Sequence, residues 1–127
     1  MEKAQDLLGD ARIAFGVGLN NSAGRDAYLA GFHAAQSYIF EVTGKTSKTH
    51  NGVQNLFFQL AVKDDTIPDF IRTFVSRAYN LKAVADYETG PGSRIPVEKV
   101  EWAIATAERF LTCIASTLAN RSSSSAN

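Results

Sequence analysis

The feature that most narrows what this chain can fold into lies after Pro96. There Val97, Val100, Ile104, Ala107, Leu111, Ile114 and Leu118 recur in alternating steps of three and four. Such spacing puts every apolar side chain on one face of an α-helix, and a strand, with its period of two, would scatter them over both faces. A seam three heptads long has to be covered. A second copy could do so in a coiled coil, but the rest of the chain offers other amphipathic helices, so an antiparallel bundle is the expected use.

Four further segments carry helical periodicity. From Glu2 to about Leu19, Ala4, Leu7, Leu8, Ala11, Phe15 and Gly18 share a stripe. Asn20 to Gly24 reads as a turn, after which a second helix, capped by Asn21 or Ser22, carries Tyr28, Leu29, Phe32, Ala35 and Ile39 inward. Gly44 suits the left-handed position that closes it. Beyond the polar stretch 45–49, Val53, Leu56, Phe57 and Leu60 mark a shorter third helix. Thr66-Ile67-Pro68-Asp69 is a start signal, with Thr66 as cap, Pro68 in the first turn and Asp69 at the positive end. A fourth helix then runs through Phe70, Ile71, Phe74, Val75, Ala78, Leu81 and Ala85 to about Tyr87. Gly90-Pro91-Gly92-Ser93 cannot continue it and reads as a surface loop.

Eighteen alanines and three prolines among 127 residues agree with an all-α fold, since Ala loses no side-chain entropy in a helix. The expectation is an up-and-down four-helix bundle with an additional short helix. It occupies residues 1–120 as one domain, and the Ser-rich stretch 121–127 is expected to be a disordered tail.

Charge excludes some functions. Thirteen basic and thirteen acidic side chains, scattered along the chain, leave no net charge, so the footprint of a strong nucleic-acid binder is missing and only a local basic edge is open. One cysteine and two histidines are too few for an internal disulfide or a closed zinc site, and nothing in the chain calls for a metal or a cofactor. The charged amino terminus and the lack of any run near the roughly 18 apolar residues of a membrane span point to the cytoplasm.

Gly44-Lys45-Thr46 resembles the end of a phosphate-binding loop, but the first glycine of that motif would fall on Ile39, inside a helix. Gly16-Val17-Gly18 lacks a third glycine at Asn21, so these glycines are read as sites of close helix packing. His33 is expected at the edge of the core. His50 opens the third helix beside Lys45, Lys48 and Thr49, where free backbone N–H groups and the helix dipole would favour an anion. Arg77, Lys82, Asp86 and Tyr87 collect toward the end of the fourth helix, with Lys82 and Asp86 four apart on one face, as an exposed ion pair or as ligand contacts. Cys113 adjoins the Ile114 seam position and is read as core or interface.

Three stretches together resemble the HEPN family (higher eukaryotes and prokaryotes nucleotide-binding). They are Arg25-Asp26-Ala27-Tyr28-Leu29-Ala30-Gly31-Phe32-His33-Ala34-Ala35, then Lys48-Thr49-His50-Asn51-Gly52-Val53 with Asn55-Leu56-Phe57, and finally Ala85-Asp86-Tyr87. Their order and spacing agree over about residues 4 to 118. The resemblance implies a helical bundle that pairs as a homodimer and is often encoded beside a small nucleotidyltransferase as a toxin–antitoxin pair. Many members are metal-independent ribonucleases marked by an Arg followed, after four to six residues, by a His. This chain has no such pair: eleven residues after Arg77 contain no His, and seven separate Arg25 from His33. Where those members place Arg and His ahead of the acid and tyrosine, it has Lys82 and Ala85. Lysine neutralises phosphate as a point charge without the bidentate fork, and alanine moves no proton. The expected function is a non-catalytic module that binds a nucleotide, RNA or a partner protein. The alternative is a ribonuclease toxin using His50 or His33 with Lys82 and Tyr87.

Overall fold

The computed structural model describes residues 1–87 and 93–126; the Tyr87 side chain and the Gly90-Pro91-Gly92 turn lie outside the described residues. The helices are α1 (Glu2–Gly16), α2 (Asn20–Thr43), α3 (His50–Ala61), α4 (Asp69–Arg72), α5 (Phe74–Tyr87) and α6 (Val97–Ala126). No strand occurs among the described residues, and no helix among them is long and apolar enough to cross a membrane. The fold is the all-α bundle that the periodicity implies.

α2 is its axis, because α1, α5 and α6 all pack against it. Its buried positions include Ala23, Ala27, Ala30, Ala34 and Ala35, whose small side chains let three neighbours approach at once. Gly31 takes this furthest: a Cβ there would lie 2.6 Å from Cε2 of Phe74. At Gly24 it would lie 3.0 Å from Cδ1 of Ile95. The close-packing glycines are therefore on α2, and the expectation for Gly16 and Gly18 is corrected. A Cβ at Gly16 meets nothing within 4 Å, and Gly18 instead supplies a φ of +82° just after α1 stops.

Most of the α6 seam is buried as expected, through Val100, Ala107, Leu111 and Ile114. Its ends are not. Val97 is 43 % exposed, Ile104 and Leu118 are only partly covered, and Ala103 and Phe110 take buried places instead. Val100, Ala103, Ala107, Phe110, Ile114 and Thr117 still alternate steps of three and four, so the covered face keeps the heptad and is turned by one position toward the side of 103, 110 and 117. Phe110 then anchors a row of rings that crosses the bundle. Tyr38 meets Phe57 at 5.5 Å, Phe57 meets Phe110 at 5.2 Å, Phe110 meets Phe74 at 5.5 Å and Phe74 meets Trp102 at 5.6 Å between centroids. Burying several such rings supplies much of the apolar transfer energy of a domain this size. Helical backbone continues from Arg121 to Ala126, past the end of the apolar stripe; no Gly or Pro interrupts it, and an established helix propagates more readily than a new one nucleates.

Three element boundaries differ from the sequence reading. α1 ends at Gly16, and α2 begins at Asn20 with Leu19 in the capping position and no side-chain cap. Asn21, expected with Ser22 as the α2 cap, is used across the fold together with Asn20: Asn20 Nδ2 donates to the Ile95 carbonyl at 3.0 Å, Asn21 Nδ2 to the Ser93 carbonyl at 3.2 Å, and Ile95 N–H to Asn21 Oδ1 at 2.8 Å. The fourth predicted helix is split at Thr73 into α4 and α5. The Thr73 hydroxyl donates back to the Asp69 carbonyl at 3.2 Å, a local bond that competes with regular helix geometry. Thr66 does not cap α4; its amide and hydroxyl both donate to Asp64 Oδ1. Arg72 donates from Nε to the Ala61 carbonyl and from Nη2 to the Asp64 carbonyl, putting positive charge at the negative end of α3.

Candidate functional site

The site begins with the way α3 starts. Thr49 adopts an extended conformation and its hydroxyl accepts the Gly52 N–H at 3.0 Å, which satisfies one of the orphan donors of the first turn. Gly52 is needed beneath that bond: a Cβ there would lie 2.6 Å from Ser47 Oγ and 2.6 Å from Thr49 Oγ1. Gln36 Nε2 donates to the Ser47 carbonyl at 2.9 Å and ties the preceding loop to α2. The Lys-Thr-His-Asn-Gly-Val stretch thus builds a capped turn held against α2, and His50 is its first helical residue.

His50 does not face water as a loop-end histidine would. Its ring packs among Phe32 at 4.8 Å, Tyr79 at 5.4 Å and Tyr28 at 5.6 Å between centroids, and its Nδ1 lies 2.6 Å from the Tyr28 hydroxyl. Tyr28 is fully buried, and burial pushes its phenol up to about 12, so it stays protonated near neutrality. Burial also lowers the His50 pKa; Lys82 and Arg25 lower it further while Asp86 works the other way. The result is an imidazole that is neutral at pH 7, with Nδ1 committed to Tyr28 and Nε2 left for chemistry. Gln54, one turn along α3, sits beside the same hydroxyl, and its buried Nε2 has no hydrogen-bond partner among the described residues.

Two cations converge next to this ring. Lys82 Nζ donates to Asp86 Oδ2 at 2.5 Å, and Arg25 Nε donates to Asp86 Oδ1 at 2.9 Å. The Lys82 side chain keeps 11 % of its exposure, Asp86 24 % and Arg25 43 %, so the pair expected as an exposed helical ion pair is a partly sheltered triad bridging α2 and α5. The Lys82 hydrogen bond leads in holding the Asp86 carboxyl below its usual range, a burial penalty works against it, and Arg25 adds to the lowering. Asp26, 3.8 Å from Arg25, is moved the other way: burial raises its pKa more than Arg25 lowers it. Asp86 holds two cationic groups beside a neutral imidazole, an arrangement suited to gripping a phosphate and to passing a proton near it.

The predicted residues separate accordingly. His50, Lys82 and Asp86 come together. Arg77 does not join them: its guanidinium lies over the Trp102 ring at 4.8 Å, at the end of the apolar row. Lys45 is exposed in the loop after α2, and Lys48 lines a different pocket together with His33. His33, as expected, is half-buried at the core edge, where burial and then Lys3 lower its pKa. Sequence reading left out Arg25, Tyr28, Gln54 and Tyr79 as site residues. The one usable signal was Arg25-Asp26-Ala27-Tyr28, where an arginine stands a helical turn before an aromatic residue. Cys113 is half-buried with Sγ 3.7 Å from the Thr66 carbonyl, and burial raises its thiol pKa, so it is a poor nucleophile.

The sequence model of the HEPN domain family matches residues 1–117. A UPF0332 protein of Archaeoglobus fulgidus is 34 % identical over 91 residues, 68 % of this chain and 68 % of the relative. A protein named "Putative toxin MJ0605" from Methanocaldococcus jannaschii is 31 % identical over 111 residues, 87 % of this chain and 80 % of the relative.

Proposed function

Starting from a chain that belongs to the HEPN domain family, we propose that it is a phosphate-recognising module that captures RNA or a nucleotide without turning it over. The observation that carries this reading is the convergence of Arg25 and Lys82 on Asp86 beside His50. An incoming phosphate competes with Asp86 for two cations already held in place, so little side-chain entropy remains to be lost on binding. The toxin name of one relative favours a role as one half of a toxin–antitoxin pair; the homodimer and the small nucleotidyltransferase partner rest on the family resemblance alone.

One observation favours a second reading. A neutral histidine whose Nδ1 is fixed by a buried tyrosine can act as a general base or acid through Nε2, and Lys82 with Arg25 can stabilise the charge that develops on a phosphodiester. That would be a metal-independent ribonuclease with an unconventional site.

Incubation of end-labelled RNA with the protein and a chelator, alongside binding by fluorescence anisotropy, separates the two. Capture without cleavage is expected. Lys82→Ala and Arg25→Ala should each weaken capture about tenfold or more, since hydrogen bonds to charged groups contribute about 1.5–3 kcal/mol and 1.4 kcal/mol is tenfold. Undiminished capture in both variants would sink the binding site. Cleavage that survives chelation and disappears in His50→Asn would replace the binding reading with the ribonuclease. The same preparation reports the homodimer by its mass in solution and a nucleotidyltransferase partner by co-purification.

A further inference from the structure

Outside the His50 centre the described residues line further pockets, two of them with several charged side chains. The larger, about 650 Å³, is lined by Lys63 and Arg121 together with Asp64 and Asp65, and its Asp64 already accepts hydrogen bonds from Tyr38 and Thr66. Its charges are mixed and its best acceptor is occupied. The second, about 370 Å³, sits between the start of α1, the middle of α2 and the loop before α3. Its polar lining includes Lys3, His33, Gln36, Ser37, Ser47 and Lys48, and no Asp or Glu is among its lining residues. Lys3 is close enough to His33 to depress its pKa, and the Gln36 bond to the Ser47 carbonyl holds the loop wall in place. A pocket walled by two lysines, a histidine and small hydroxyl side chains, with no carboxylate, selects for an anion.

Its position relative to the first centre gives the anion an identity. The Phe32 ring touches both imidazoles, His50 at 4.8 Å and His33 at 5.5 Å between centroids. The two imidazoles therefore lie no more than about 10 Å apart, within the reach of a few nucleotides of one strand. Resting on the reading of the His50 centre as a phosphate site, we infer that this pocket seats a second phosphate of the same molecule. The ligand is then a single-stranded oligoribonucleotide and not a mononucleotide.

Binding of oligouridylates two and eight nucleotides long, followed by anisotropy and competition over a range of salt, tests this. In the wild type the octamer should bind more tightly than the dimer. The double substitution Lys3→Ala with Lys48→Ala, at two exposed positions, should weaken the octamer about tenfold and lower its log K against log salt slope by about 1.4, two cations at about 0.7 each. Dimer binding should not change. Equal octamer affinity in wild type and double variant overturns the inference, as does an equal loss for dimer and octamer. Arg25→Ala distinguishes the two claims: it should weaken dimer and octamer alike, and if it weakens neither while the lysine pair weakens the octamer, the His50 reading fails and this pocket stands. A wild type that binds neither length overturns both.

Discussion

Two rows of aromatic rings run through this bundle, and they are built from similar parts for different ends. The row Tyr38, Phe57, Phe110, Phe74 and Trp102 is almost wholly apolar, with Tyr38 Oη donating to Asp64 at one end and Arg77 stacked over Trp102 at the other. The row His33, Phe32, His50, Tyr28 and Tyr79 has similar ring spacings, yet it places two imidazoles and two phenols in its interior. Ring packing alone accounts for the first. The second carries the same packing plus four rings with polar atoms that each need a partner, where the first has only Tyr38 and Trp102, at its ends. Extra polarity in one of two equivalent rows marks where the molecule meets something else.

The contrast can be broken at its strong side first. Phe110→Ala should cost about 3–5 kcal/mol in urea unfolding, because the ring is fully buried between Phe57 and Phe74 and neither can fill its place. A loss below about 1 kcal/mol would mean that the apolar row does not hold the bundle together. Tyr28→Phe probes the polar row more gently. It keeps the ring and removes the hydroxyl that meets His50 Nδ1, so about 0.5–1.5 kcal/mol should be lost. A gain in stability together with weaker RNA capture would sharpen the contrast further, since the hydroxyl would then serve only the ligand.

The smallest effect is on pH dependence. His50 and His33 both have pKa values lowered by burial, so the folded state holds fewer protons on them than the unfolded chain does. Their contribution to stability is complete above the unfolded value near 6.5 and is lost as pH falls from there through the lowered folded values. Thermal unfolding between pH 7.5 and 5.5 should therefore show a falling midpoint, and His50→Asn should flatten part of that fall. An unchanged slope in that variant would place His50 in water and undo the buried polar row. The Asp86 and Asp64 carboxylates, lowered in the fold, add a separate loss only below about pH 4.

Periodicity made the all-α bundle legible, because apolar spacing reports directly on which helix face is covered. It misplaced one side of the α6 seam by a single position, taking Ile104 and Leu118 inward where Ala103 and Thr117 are buried. It also gave Asn21 a local capping role when the amide is used across the fold, and no local rule could have seen the Ser93–Ile95 segment waiting there. At the site, His50, Lys82 and Asp86 stood out as chemistry-bearing residues near helix ends. Arg25 and Tyr28 were hidden because both lie mid-sequence in a helix that reads as core, and only packing brings α2 against α3 and α5. Arg77 looked equivalent to Lys82 in the sequence, but five residues along a helix turn it about 140° away, onto Trp102.

The asparagines that join the start of α2 to the segment before α6 also make a reporter of assembly. The bond from Ile95 N–H to Asn21 Oδ1 spans 74 residues, and its donor lies outside any helix. Its formation requires the chain to have closed a long loop, a step whose entropic cost must be met before the contact gives anything back. Fraying of α6 can leave it intact, while undocking of the segment that leads into α6 must break it. Deuterium uptake at the single amide of Ile95 therefore times the separation of the last helix from the rest of the bundle, independently of whether that helix itself has melted.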